Sequence, residues 1–234
     1  LALWPEHIKR ILSPDEMLHI FKKLGGFWNY DYQAAENGKP GFHALLKSGR
    51  HSDAFIYSKA ALRYYNICRI MAQQLVWTWE RKKLPYPNKV AGIPTGATKL
   101  GEHVAHLMKA KPIKMTKENG KIKIKEKLSS SDTLLLVEDF CTQGTGFKEA
   151  VADVFNYNPR IYISPYELVI INRGILRKIA TEMRHFEIIS AVNYRINEWD
   201  PDKEKCPLCN KYESQPIKPK ATEENWEELM NSQN

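Results

Sequence analysis

Leu134-Leu135-Leu136-Val137-Glu138-Asp139-Phe140-Cys141-Thr142-Gln143-Gly144-Thr145-Gly146 decides the reading of this 234-residue chain. The continuous apolar run Thr133–Val137 suits a strand covered on both faces. It delivers two adjacent carboxylates, Glu138 and Asp139, to the carboxyl edge of a sheet, where open α/β folds bind ligands. The next residues are small or hydroxylic and lead into a helix over Phe147–Phe155. Such a loop offers backbone N–H groups, two threonine hydroxyls and a helix N-terminus to one phosphate. Acids set before a phosphate cradle repel the phosphate itself, but they suit a diol on the same ligand. A sugar phosphate supplies both groups. The competing reading is a strand-end acid pair followed by an ordinary capped helix. A P-loop is absent, and Glu149 stands where a dinucleotide fingerprint needs its third glycine.

Working outward, strand and helix patterns alternate. Lys89–Ile93 reads as a strand, Pro94–Thr98 as a loop and Lys99–Met108 as a helix. Pro112–Met115 and Lys121–Lys127 read as strands around a basic turn, Thr116–Gly120. Tyr166–Ile171 and Phe186–Tyr194 are further strands. This order predicts an α/β fold with a largely parallel central sheet flanked by helices. Upstream, Ser13-Pro14-Asp15-Glu16 is a helix start, and Gly25-Gly26 ends that helix. Phe27 to Pro40 reads as a loop. Phe42–Leu46 and Ala54–Tyr57 read as strands flanking the turn Lys47-Ser48-Gly49-Arg50. One long helix is predicted from the spacing of Leu62, Tyr65, Cys68, Met71, Ala72, Leu75 and Trp79. Three regions follow: an N-terminal helix and small hood over 1–60, the α/β core over 61–200, and a polar tail over 201–234. The tail reads as loosely docked, with a helical turn at Glu223–Met230.

Composition sets the outer bounds. Lys and Arg exceed Asp and Glu by 35 − 27 = 8, which predicts an anionic partner. Hydrophobic residues at 43% exclude a disordered chain. No apolar run approaches the roughly 20 residues of a membrane span. No secretory leader is read at the start, and four cysteines are too few for a disulfide scaffold. A cytoplasmic location is expected. The lysines are scattered rather than striped and no DNA-binding helix pair is evident, so nucleic acid is not the expected partner. Cys206-Pro207-Leu208-Cys209 is half a zinc site by spacing. No second Cys or His pair is read near it, and zinc held within one chain is not expected. A site shared across a dimer and a plain reduced pair both stay open.

Glu138–Gly146 resembles the phosphoribosyl pyrophosphate (PRPP) signature of the type I phosphoribosyltransferases. The resemblance extends over most of 41–200 and points to the orotate branch of that family. Leu46-Lys47-Ser48-Gly49-Arg50-His51-Ser52 is similar to its base-site segment, and Gly92-Ile93-Pro94-Thr95-Gly96-Ala97 to its pyrophosphate loop. Ile171-Asn172-Arg173 is similar to its Asp-Arg pair, with Asn172 in place of the Asp. Trp199, the Cys206/Cys209 pair and Pro219 resemble the ending of some members. The stretch Lys114–Gly120 lacks the His of many members' mobile loop and resembles a shorter version.

The resemblance implies transfer of ribose 5-phosphate from PRPP to orotate, with magnesium held mainly by PRPP and no dedicated protein metal site. Glu138 and Asp139 would hold the ribose hydroxyls. Thr142, Gln143, Gly144, Thr145 and Gly146 would cradle the 5′-phosphate, while Thr95, Gly96, Lys99 and Lys47 would complete the PRPP site. Lys117 would close on the leaving pyrophosphate, the alternative being a solvated turn lysine. Arg173, Lys47 and Phe55 would hold the base, and Phe55 reads equally as core. Arg173 is expected as an exposed guanidinium at the sheet edge. A homodimer is implied. The alternatives are a phosphoribosyltransferase for another base and a non-catalytic PRPP-binding regulator.

Overall fold

The computed structural model describes residues 3–202 and 204–234. They form two compact units, one from the residues up to Met17 with Ala61–Arg195, the other from Leu18–Ala60 with Ile196–Asn234.

The first unit is built on a six-stranded sheet. Its order is Lys178–Ala180, His185–Asn193, Tyr162–Asn172, Thr133–Cys141, Lys89–Gly92 and Lys111–Ile113. Every pairing is parallel except that of the Lys178–Ala180 edge strand. Leu134 to Val137 are all fully buried in the middle of this sheet, as a run without polar alternation requires. The strand does not stop at Val137 but runs through both acids to Cys141. Its neighbour carries it on, pairing Val169 with Glu138, Ile171 with Phe140 and Asn172 with Cys141.

Helices Tyr65–Arg81, Thr98–Leu107 and Thr145–Tyr157 each bury one stripe. In Thr145–Tyr157 the stripe is Phe147, Ala150, Val151 and Val154, the i, i+3, i+4, i+7 spacing of an amphipathic helix. Phe147 meets Phe186 edge-on at 5.0 Å between ring centres. The single long helix expected from Leu62 onward is two: Ser58–Leu62, then Tyr65–Arg81 after extended backbone at Tyr64. Tyr65 is exposed, its ring against His103 and the Arg69 guanidinium.

The second unit joins segments from both ends of the sequence. A four-stranded sheet runs in the order Glu198–Trp199, His51–Ser52, Phe42–Leu45, Gln215–Ile217. Phe27–Asn29 pairs with Ala54–Ile56, and Tyr32–Glu36 is a short helix, where a loop was expected over 27–40. The tail is not loosely docked. Cys206, Leu208, Trp226 and Leu229 are buried with Trp28, Tyr30 and Ala44. The helix Glu223–Asn231 is capped by Thr222, whose hydroxyl accepts the Asn225 N–H at 3.1 Å. Trp226 lies against Phe55 and Tyr57 and donates its indole N–H to the Gly25 carbonyl at 3.2 Å. The tail looks polar because only one face of that short helix is apolar, and that face is the buried one.

The expectation that Cys206 and Cys209 lack a second ligand pair is also corrected. His43 and His51 stand beside them, brought there by the strands Phe42–Leu45 and His51–Ser52. The residues that complete the group are remote in sequence, so spacing alone could not reveal them.

Leu229→Ala should destabilise the protein by about 2–5 kcal/mol, the range for emptying a buried leucine site. Glu228→Ala, on the exposed side of the same helix, should stay within about 0.5 kcal/mol of wild type. Urea unfolding followed by circular dichroism tests this. Equal, small effects would mean the tail adds nothing to the fold.

Candidate active site

Two loops leave the carboxyl ends of neighbouring parallel strands in the first unit. The loop after Thr133–Cys141 reaches Gly144, which has φ +67° and begins the helix Thr145–Tyr157. A side chain there would be strained by the backbone, and a Cβ would lie 2.5 Å from Ile179 Cδ1. The helix start carries no side-chain cap and no acid in its first turn. Its leading N–H groups have no carbonyl within the helix, and its dipole favours an anion there.

The second loop follows Lys89–Gly92. The Ile93 N–H donates to the Val137 carbonyl at 2.8 Å, which holds this loop beside the acid-bearing strand. The peptide from Pro94 to Thr95 is cis. Gly96 lies so close to the Asp139 carboxylate that a Cβ at 96 would overlap its oxygens. Likewise a Cβ at Gly146 would come within 2.6 Å of Glu138 Oε1. Each acid therefore sits against the backbone of a glycine, one in each loop. Asp139 is 9% exposed. Thr95, Lys99, Gln143 and Thr145 are exposed, and Gly96, Thr142 and Gly146 are half-buried.

Glu138 has a partner that sequence reading missed. Glu167 is fully buried on the adjacent strand. Glu138 pairs with Val169, so Glu167, two residues earlier, projects from the same face of the sheet. Carboxyl oxygens of Glu138 and Glu167 lie with the Cys141 thiol inside 4.8 Å. Burial, then the Glu167 carboxyl, then Asp139 push Glu138 well above the usual carboxylate range. Burial pushes Glu167 upward as well, and burial first, then these two acids, raise the Cys141 thiol. Burying two carboxyls this close together disfavours ionising both. The available signal was a lone acid inside the apolar run Tyr166–Ile171.

Arg173 does not present an exposed guanidinium. It is 8% exposed, with its charge 5.3 Å from the centre of the Phe140 ring. Its backbone N–H donates to the Cys141 carbonyl at 2.7 Å, which folds the chain back onto the acid strand. Asn172 closes the following turn in both senses: Nδ2 donates to the Leu176 carbonyl at 2.7 Å and Oδ1 accepts the Leu176 N–H at 3.2 Å. An aspartate could only accept, so the asparagine has a local reason.

The basic turn expected at Thr116–Gly120 is a tighter hairpin. Met115–Glu118 pairs with Lys121–Ile124 around Asn119-Gly120, both at positive φ. Lys117 lies in the strand opposite Ile122 and is exposed. The return strand is fixed to the helix Thr145–Tyr157, where Glu149 accepts the Ile122 N–H at 2.7 Å and Asp153 the Ile124 N–H at 2.8 Å. Lys47 and Phe55 belong to the other unit. Lys47 is exposed in its turn, while Phe55 is half-buried against Trp226 with the Lys220 ammonium 5.5 Å from its ring.

No protein-family model matches the chain. It is 25% identical over 169 residues to the orotate phosphoribosyltransferase of Caldicellulosiruptor saccharolyticus, covering 71% of this chain and 82% of that one. It is 25% identical over 202 residues to that of Thermoanaerobacter sp. (strain X514), covering 85% and 93%. Among solved structures, orotate phosphoribosyltransferase from Aeropyrum pernix superposes with a TM-score of 0.55 at 16% identity, over 76% of this chain and 93% of that one. Leishmania donovani UMP synthase gives 0.57 at 15%, over 96% of this chain and 43% of that longer one. The fold is that of the type I phosphoribosyltransferases. Within that class, the likeness is to the orotate phosphoribosyltransferases.

The Glu138–Glu167 pair has a pH signature. A carboxyl whose pKa is raised by folding stabilises the fold below its ordinary value, 4.5, and loses that contribution as pH climbs toward the raised value. Glu167→Gln keeps the shape and removes the titration. Its melting temperature relative to wild type should therefore rise as pH climbs above 4.5. A flat difference would show that Glu167 ionises normally.

Proposed function

We propose that this chain is an orotate phosphoribosyltransferase, transferring ribose 5-phosphate from PRPP to orotate and releasing orotidine 5′-phosphate and pyrophosphate. The reading is supported above all by the pairing of two strand-end carboxylates with a phosphate loop, each acid seated on a glycine of one of two adjoining loops. It is supported too by the orotate phosphoribosyltransferases that the chain resembles.

In the reaction the bond from ribose C1′ to the pyrophosphate oxygen breaks and a bond from C1′ to a base nitrogen forms. Positive charge develops on the ribose ring. Asp139 and Glu138 hold the ribose hydroxyls beside the developing cation, a preorganised electrostatic role. The N–H groups of the helix start, with Thr142, Gln143, Gly144, Thr145 and Gly146, hold the 5′-phosphate and so orient C1′ for displacement. Thr95, Gly96, Lys99 and Lys47 attend the rest of PRPP, and Lys117 approaches the departing pyrophosphate. Arg173, Lys47 and Phe55 receive the base. The buried setting of Arg173 strengthens a charge-assisted pair with the carboxylate of orotate, since less water competes there.

The donor set fits magnesium carried by the substrate. Asp139 is the carboxylate beside the Thr95-Gly96 loop, and no acid cage closes around that point among the described residues. Magnesium of this kind takes most ligands from phosphate and water. Bound with PRPP, it would neutralise charge on the pyrophosphate as it leaves. No helix of the described residues is long and apolar enough to cross a membrane. We take the enzyme to be a cytoplasmic homodimer working in pyrimidine nucleotide synthesis.

A spectrophotometric assay with PRPP, magnesium and a panel of bases tests the assignment. Orotate should be consumed fastest, and faster use of a purine or of uracil would overturn it. Asp139→Asn should lower kcat/KM by about 10²–10³-fold, the scale for losing one electrostatic contact to a transition state. Calorimetry and assays unchanged by this variant would remove the site.

Lys117→Ala should depress kcat more than it raises KM, because its contact strengthens only as pyrophosphate departs. Mixing Lys117→Ala with Asp139→Asn should restore part of the activity if the hairpin serves the partner's site in the dimer. Wild-type turnover in Lys117→Ala would leave it a solvated hairpin lysine.

A further inference from the structure

The second unit holds a group of four side chains that the proposed reaction does not use. His43 Nε2, His51 Nδ1, Cys206 Sγ and Cys209 Sγ all lie within 4.8 Å of one another. The separations are 3.0 Å between the two nitrogens, 3.4 and 3.6 Å from Cys209 Sγ to His51 and His43, and 3.9 Å from Cys206 Sγ to His43. A tetrahedron with zinc–nitrogen bonds of about 2.0 Å and zinc–sulfur bonds of about 2.3 Å has edges of about 3.3–3.8 Å. From these residues we infer a structural zinc site of the Cys2His2 type.

The local folding is what such a site needs. His51 faces Leu45 in the antiparallel pair, so His43, two residues before Leu45, projects from the same face. Cys206 and Cys209 bracket the first turn of the helix Pro207–Asn210, where the Asn210 N–H returns to the Cys206 carbonyl at 2.9 Å. Both cysteines are thiols, and no disulfide consumes them.

An outer partner fixes His43. Ser214 Oγ donates to the Gly41 carbonyl at 2.9 Å, so it accepts from the His43 Nδ1 at 3.0 Å. That puts the ring proton on Nδ1 and aims the Nε2 lone pair at the cysteines. A hydrogen bond of this kind from the far ring nitrogen is the usual support of a metal-ligating histidine. His43 is 0% exposed, so water does not compete for its ring nitrogens.

All four positions are protein atoms, which makes the site closed and structural rather than catalytic. Two sulfurs with two nitrogens in a tetrahedral set select zinc over magnesium or calcium. The metal would tie the hairpin around Lys47 to the C-terminal segment across 163 residues of sequence.

The test uses the full chain, grown with added zinc, purified without metal-affinity resin and dialysed without chelator. Elemental analysis should find about one zinc per chain. Replacement by cobalt should give the strong visible bands of tetrahedral cobalt and a near-ultraviolet thiolate band. Ser214→Ala should weaken zinc about 10- to 100-fold in competition with a chelating dye, as loss of an outer-shell partner does. Cys209→Ser, at the least buried ligand, should fold by circular dichroism and lose the cobalt–thiolate band. If that variant fails to fold, the wild-type zinc and cobalt measurements decide alone. Folded wild-type protein with less than about a tenth of an equivalent of zinc, or with iron instead, overturns the assignment.

Discussion

Carboxylates at the end of a strand buried on both faces have no room of their own, and the first unit depends on the room that glycine supplies. Asp139 stands where a Cβ at Gly96 would be, and Glu138 stands 2.6 Å from where a Cβ at Gly146 would be. The strand Thr133–Cys141 is central, flanked by Tyr162–Asn172 and Lys89–Gly92, so neither acid can turn outward past a sheet edge. Both loops must approach the strand end closely, and each must do so through a residue without a side chain. The strand, the two loops and the helix start therefore constrain one another. Any side chain at 96 or 146 would move an acid as well as a loop.

The second unit solves a different problem. Its sheet has four short strands, the longest being Phe42–Leu45, and so few strands bury little by themselves. Two segments that are remote in sequence supply the missing cover. Trp226 and Leu229 close one side of the cluster with Trp28 and Tyr30, and the His43, His51, Cys206 and Cys209 group adds a second tie between the same segments. A metal there would act as staples do in small domains, limiting the unfolded chain where the core is thin.

Much of this was legible in the sequence, and the parts that were not share a cause. The α/β order, the central strand and the glycine-bearing loop after it follow from local pattern: apolar runs, helix spacing and glycine after acids. What escaped was whatever depends on two segments meeting. Glu167 looks like an interruption of an apolar strand until the register with Val169 and Glu138 is known. Cys206 and Cys209 look like half a site because His43 and His51 come from the opposite end of the chain. Arg173 reads as exposed because a strand end usually is, yet the Phe140 ring on the adjacent strand covers it. The tail reads as loose because composition averages over both faces of a short helix.

The carboxyl pair also resolves the conflict set by the sequence, acids placed just before a cradle for an anion. Two ionised groups about 4 Å apart repel by about 4 kcal/mol at an effective dielectric of 20. Three carboxylates beside a phosphorylated ligand would multiply that cost. Burial raises both Glu138 and Glu167, and Glu167 raises Glu138 further, so ionising the whole group is disfavoured. A carboxyl in its neutral form donates as well as accepts a hydrogen bond, and the upward shift of Glu138 favours that form. Asp139 lies on the other face of the strand, against Gly96. The helix start at Gly144 contributes positive potential without a cation. The two acids of one strand end therefore sit in different electrostatic settings, a division drawn along the two faces of the strand. That division comes from the buried glutamate on the neighbouring strand, and Glu138 in a solvated loop would not have it.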